Sequence, residues 1–125
     1  MIASIQGRLQ HLGDGELILE INGVGLRIAV TRTVSDANPE VGQALFLHTK
    51  LIVKEDSLSL YGFPSTEERE LFETLLGVSG IGPKLALAIL SHLSPDILRS
   101  AVVNNQPEIL AKVPGLGKKT AEKVI

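Results

Sequence analysis

The sequence predicts an α+β chain: a small five-stranded antiparallel β-barrel over residues 1–63, followed by an all-α segment over residues 64–125. Three observations carry this reading. Apolar residues alternate with period two in the first half, helical spacing takes over after Gly62-Phe63-Pro64, and the second half contains an internal repeat.

In the first half, Leu17, Leu19 and Ile21 alternate with Ile18, Glu20 and Asn22, and Leu26, Ile28 and Val30 alternate with Arg27 and Ala29. Such alternation marks half-buried strands. Between these runs lies Asn22-Gly23-Val24-Gly25, whose Asn-Gly pair suits a tight hairpin turn. His11 to Gly15 reads as another turn, Asn38-Pro39 and Gly42 as a loop, and Ala44–Val53 and Leu58–Tyr61 as further strands. Five short strands in so short a stretch favour an OB-fold barrel, with a small SH3-like barrel as the alternative.

Beyond the boundary, Ser65 is placed to cap a helix with Glu67 and Glu68 in its first turn, and Leu71, Phe72, Leu75 and Leu76 recur at helical spacing. Ser94-Pro95-Asp96 and Gln106-Pro107-Glu108 start further helices, each with proline near the N-terminus. Leu87, Ile89, Leu90 and Leu93 read as core.

Composition narrows the function classes. The 125 residues and 13.4 kDa hold one ordinary domain or two very small ones. With 44% hydrophobic and 21% charged residues the chain is expected to fold, and with 3% aromatics it lacks the rings for an extended base-stacking platform. Zero cysteines exclude disulfides, cysteine-ligated zinc and thiol catalysis, and suit a reducing, cytoplasmic setting. A net charge of −2 offers no long-range basic field, so contact with a polyanion has to be local. No apolar run approaches the roughly 20 residues that span a bilayer, and Met1 to Leu9 lacks a signal peptide's apolar block.

The repeat is the most informative feature. A shift of 35 residues places Leu75 on Leu110, Val78 on Val113, Gly80 on Gly115, Ile81 on Leu116, Gly82 on Gly117, Lys84 on Lys119, Ala86 on Ala121 and Ile89 on Val124. Each copy reads as a helix, a Gly-aliphatic-Gly elbow, and a second helix that opens with a basic residue. Glycines let the backbone approach a partner closely, and exposed amides at a helix start attract phosphate. Lysines add charge that is blind to base sequence. The expected phosphate-binding residues are Ser79, Gly80, Ile81, Gly82, Pro83 and Lys84 in the first copy. In the second they are Gly115, Leu116, Gly117, Lys118, Lys119, Thr120 and, on the helix that follows, Lys123. A plain helix-helix connector is the competing reading of each elbow. Neither elbow is a nucleotide loop: Lys119 stands where a Walker A motif needs Ser or Thr, and Leu85 and Thr120 stand where a dinucleotide fingerprint needs its third glycine. His11, His48 and His92 share no metal-ligand spacing, and neither a metal nor a cofactor is expected. Arg8, Arg27 and Arg32 are unspecific candidates for DNA contact.

These paired elbows resemble the double helix-hairpin-helix module of DNA-repair proteins. Further residues, Glu55-Asp56, Leu60-Tyr61-Gly62-Phe63, Gly80 through Leu90 and Pro114 through Glu122, make the whole chain similar to the RuvA family of bacterial Holliday junction branch-migration proteins. The resemblance implies an OB-fold domain at 1–63 and a double helix-hairpin-helix domain at 64–125. A third, motor-binding domain is expected to be missing, because the sequence stops within the last hairpin helix. It implies a homotetramer, or two tetramers face to face, holding a four-way DNA junction open. The ATPase motor RuvB and the resolvase RuvC are the implied partners, and no membrane is involved. Glu55 and Asp56 are implied to form an acidic pin that repels phosphates at the junction centre, without a catalytic role. The competing reading is a helix-hairpin-helix accessory domain of a structure-specific nuclease; a protein-binding oligomeriser is a third.

Overall fold

The structure, a computed structural model, describes residues 2–125. It comprises two compact units, the first reaching Arg69 and the second running Glu70–Ile125.

The first unit is a closed barrel of β1 (Ser4–Gly13), β2 (Glu16–Ile21), β3 (Val24–Val30), β4 (Ala44–Lys54) and β5 (Ser57–Phe63), in the order β1-β2-β3-β5-β4. β1 is long enough to serve two neighbours. Ser4–Arg8 pairs with β4, and Arg8–Gly13 pairs with β2 across an irregularity between Leu9 and His11. Alternation along these strands sends Ile5, Leu9, Leu17, Leu19, Ile28, Val30 and Leu47 inward with Val34. Each such side chain contributes about 1.5–3 kcal/mol by leaving water.

The structure departs from the sequence reading in several places within the described residues. The turn expected over His11 to Gly15 shrinks to Asp14-Gly15, since Gly13 already pairs with Glu16. The barrel is not wholly antiparallel: β3 closes on β5 in parallel, Ile28 opposite Leu60. A parallel closure needs a crossover, and the chain makes it through β4 and a short helix, α1 (Arg32–Asp36), that alternation could not announce. Its Val34 plugs the core.

Helix α2 (Thr66–Leu76) starts on the first unit, where Ser65 Oγ accepts from the Glu68 amide at 3.2 Å and Arg69 Nη1 donates to the Ala3 carbonyl at 2.9 Å. Glu68, expected in the first turn of this helix, is only 3% exposed. Desolvation raises its pKa from 4.5; the hydroxyls of Thr31 and Thr33 oppose that shift, and neighbouring Glu67 adds to it.

The second unit continues with α3 (Pro83–His92), α4 (Pro95–Val103), α5 (Pro107–Leu110) and α6 (Lys118–Val124). Ser94 caps α4, accepting from the Ile97 amide at 3.2 Å. The helix expected after Gln106-Pro107 is a single turn. The repeat is visible in burial: Leu75 and Leu110, Ile81 and Leu116, and Ala86 and Ala121 are all buried. Of the set read as core, Ile89 and Leu90 are buried, whereas Leu87 and Leu93 are only half-buried.

Candidate nucleic-acid interface

The two elbows share one backbone hydrogen-bond pattern. Val78 N donates to Leu75 O at 3.0 Å and Val113 N to Leu110 O at 3.0 Å; Ile81 N donates to Val78 O at 3.1 Å and Leu116 N to Val113 O at 3.1 Å. The following helices open alike, with Ala86 N on Gly82 O at 3.0 Å and Ala121 N on Gly117 O at 2.9 Å. This repetition at 35 residues extends the sequence match to the level of individual bonds.

Within each elbow the glycines divide the work. Gly80 and Gly115 have φ of +91° and +87°, where an L side chain costs roughly 1–2 kcal/mol, so these positions make the bend. Gly82 and Gly117 have ordinary extended backbone, φ −93° and −77°, and a Cβ there would meet nothing within 4 Å. Neither one is needed for the turn. Their bareness leaves an open approach at the point where each helix begins, and neither supplies a side-chain cap to the first-turn amides.

The aliphatic residue between the glycines, Ile81 or Leu116, is buried and anchors the elbow, while Ser79, Gly80, Gly82, Lys84, Gly115, Gly117, Lys118, Lys119 and Lys123 are exposed. Pro83 and Thr120 are half-buried. Each elbow thus sits over an apolar root and presents backbone and lysine ammonium groups to solvent. That arrangement can hold a phosphate.

Glu55 and Asp56 lie elsewhere, in the first unit. Lys54 pairs with Ser57, so the two carboxylates form a two-residue turn at the tip of the β4–β5 ribbon, both exposed. β1 accompanies β4 only over Ala44–His48, and β3 accompanies β5 only over Leu60–Gly62. The last turn-proximal pairs of the ribbon therefore project without flanking strands, and Val53 and Leu58 are 59% and 72% exposed.

The three arginines considered from sequence lie in the first unit. Arg8 Nη1 donates to the Gly42 carbonyl at 3.1 Å, which holds the loop before β4. Arg27 stands 4.0 Å from Glu16, and Glu20 accepts from the Gly23 amide at 2.9 Å beside the Asn22-Gly23 turn. Arg32 opens α1. The His48 ring stacks edge-on against Phe46, centroids 5.1 Å apart, and His92 Nδ1 lies 2.9 Å from the Ala88 carbonyl oxygen. Among the described residues no three His, Cys, Asp or Glu side chains gather as metal ligands, and no single helix is long and apolar enough to cross a membrane. Sequence reasoning missed the buried Glu68, although its place at helical spacing before Phe72 and Leu75 is a readable sign.

Known proteins match this arrangement in order. Residues 1–62 match the RuvA N terminal domain, and residues 72–125 match the SAM-like helix-hairpin-helix tandem. The chain is 51% identical to a protein of Chloroflexus aggregans, 49% to one of Herpetosiphon aurantiacus and 43% to one of Geobacter sulfurreducens, each over all 125 residues. All three are named Holliday junction branch migration complex subunit RuvA. The chain spans 64% of the first two relatives and 63% of the third. With a five-stranded barrel followed by twin helix-hairpin-helix elbows, and with this identity along all 125 residues, the chain is similar in domain order and sequence to the proteins of the RuvA family.

Proposed function

We propose that the chain binds four-way DNA junctions by shape, without reading base sequence, as the junction-holding part of a branch-migration complex. The observation that carries the proposal is the pair of superposable elbows, each with a bare second glycine and lysines at the start of the next helix. Ser79 to Lys84 and Gly115 to Thr120 face the sugar-phosphate backbone, and Lys123 extends the second site. Affinity then comes from phosphate neutralisation and falls with salt.

Four copies would present eight elbows, and summing weak local contacts compensates for a chain of net charge −2. Fourfold symmetry of the protein matches that of an open junction. Glu55 and Asp56, on their exposed ribbon tip, keep phosphates from the centre and so disfavour continuous duplex. Residues 1–63 supply the assembly and the pin, and 64–125 the backbone grip. The chain itself performs no catalysis. The ATPase motor RuvB acts on the junction it presents, RuvC resolves that junction, and the setting is the bacterial cytoplasm.

The test is a competition between a four-way junction and linear duplex of equal length, combined with mass measurement. A tetramer, or a pair of them, with at least tenfold preference for the junction is expected. Neutralising the pin by Glu55→Gln with Asp56→Asn should strengthen duplex binding and narrow that preference. Equal affinity of the parent for both substrates would defeat the reading. Cleavage of labelled junction on adding Mg²⁺ would favour a nuclease accessory instead.

A further inference from the structure

The two elbows approach one another closely at positions that the 35-residue repeat pairs. A Cβ at Gly80 would stand 3.5 Å from Thr120 Oγ1 and 3.7 Å from Thr120 Cγ2, while a Cβ at Gly115 would stand 3.7 Å from Leu85 Cδ1. Gly80 is equivalent to Gly115 in the repeat, and Leu85 to Thr120. The same approach therefore occurs twice, in opposite directions, as a local two-fold relation between the copies requires. Each side chain belongs to the third position of a hairpin helix and rests over the left-handed glycine of the opposite elbow. Both Leu85 and Thr120 are half-buried, unlike the fully buried Ala86 and Ala121 beside them.

We propose that Leu85 and Thr120 are positioning residues that lock the two elbows at one separation and orientation, so that they grip the DNA backbone as a single two-point clamp. The inference rests on the phosphate-binding reading above and reassigns Thr120 from a phosphate contact to a brace. The physical reason is effective concentration: a second contact on the same ligand is strong only if the spacing is held before binding. Phosphates along a backbone are regularly spaced, and a clamp whose jaws wander engages one phosphate group at a time. The brace sits over the bends at Gly80 and Gly115, which are the points whose movement would displace an elbow most. A leucine methyl on one side and a threonine hydroxyl and methyl on the other stand at similar distances from the glycine they face, 3.5–3.7 Å from where its Cβ would be. Distance is thus the shared property.

The absence of cysteine in the sequence allows a direct test. Ser79→Cys with Pro114→Cys, both at exposed positions, carries a nitroxide pair that reports the distance between elbows. In the otherwise unchanged chain a narrow distance distribution is expected. Adding Leu85→Ala with Thr120→Ala should broaden it, whereas Leu85→Met with Thr120→Val should keep it narrow. In the unlabelled chain the alanine pair should weaken junction binding about fivefold or more and make the dependence of log affinity on log salt shallower by about 0.9 for each phosphate no longer neutralised. The conservative pair should restore both.

An unchanged distance distribution, or a broadened one with unaltered affinity and salt slope, overturns the proposal. Should the double alanine variant unfold, Thr120→Ala alone, at its half-buried site, gives the same two readouts. If the parent chain binds no DNA, the phosphate-binding reading fails, and the clamp proposal falls with it. If the parent binds and only the brace variants behave like the parent, the clamp alone is wrong.

Discussion

Elbow one and elbow two have the same bend and different chemistry. Both use a left-handed glycine, a buried aliphatic and an extended glycine, with matching hydrogen bonds. Yet the first helical position is Pro83 in one and Lys118 in the other, and the helix that follows runs ten residues in α3 and seven in α6. Proline presets the backbone and removes an amide that no helix would use; lysine adds a charge. The comparison separates two properties of a phosphate-binding loop: glycine spacing sets where the backbone goes, and the flanking side chains set how strongly it attracts anions.

Removing charge should produce the largest difference between them. Lys118→Ala with Lys119→Ala should weaken junction binding by about tenfold and flatten the salt dependence by the equivalent of two phosphates, about 0.9 each. Lys84→Ala should flatten it by the equivalent of one. Filter binding or fluorescence anisotropy across a salt series measures both. Equal slopes for the two variants would erase the distinction between the elbows.

Next comes the distinction within each elbow. Gly80→Ala and Gly115→Ala should each cost about 1–2 kcal/mol of stability in thermal or denaturant unfolding, because their φ is positive. Gly82→Ala and Gly117→Ala should leave the melting temperature within a degree or two, since a Cβ there meets nothing, while lowering DNA affinity. If the second pair proves destabilising but binds DNA normally, the division of roles between the glycines is wrong.

The smallest effect lies outside both elbows and serves as their control. Burial holds the folded pKa of Glu68 above its ordinary value of 4.5, so the folded state binds this proton more tightly than the unfolded chain. The stabilising contribution is present at low pH and is lost as pH rises from about 4.5 through the elevated folded value. Glu68→Gln should therefore unfold at a temperature a few degrees above the parent at pH 7, with the gap closing toward pH 4. DNA affinity at pH 7 should stay unchanged, which separates stability from grip.

Much of this molecule was legible in its residues because local physics acts at short range. Asn22 and Gly23 both adopt positive φ, as an Asn-Gly hairpin demands, and Ser65 and Ser94 cap helices as their positions suggest. The elbows were readable since a repeat records one solution twice. By contrast, α1 was hidden in Arg32–Asp36: five residues are too few for helical periodicity, and only Val34 turns inward. β1 continued through the expected turn because β2, which begins directly after Asp14-Gly15, pairs with His11, Leu12 and Gly13 and so tightens the hairpin to two residues.

What the sequence by itself determined is which segments alternate, which bend and which carry charge, because these depend on side-chain chemistry and on dihedral preferences within a few residues. Tertiary structure decided that β3 closes on β5 in parallel, that Glu68 lies buried near Thr31 and Thr33, and that Leu85 and Thr120 reach across to opposite elbows. Those outcomes depend on packing between residues far apart along the chain, and such packing exists only once the backbone has returned on itself.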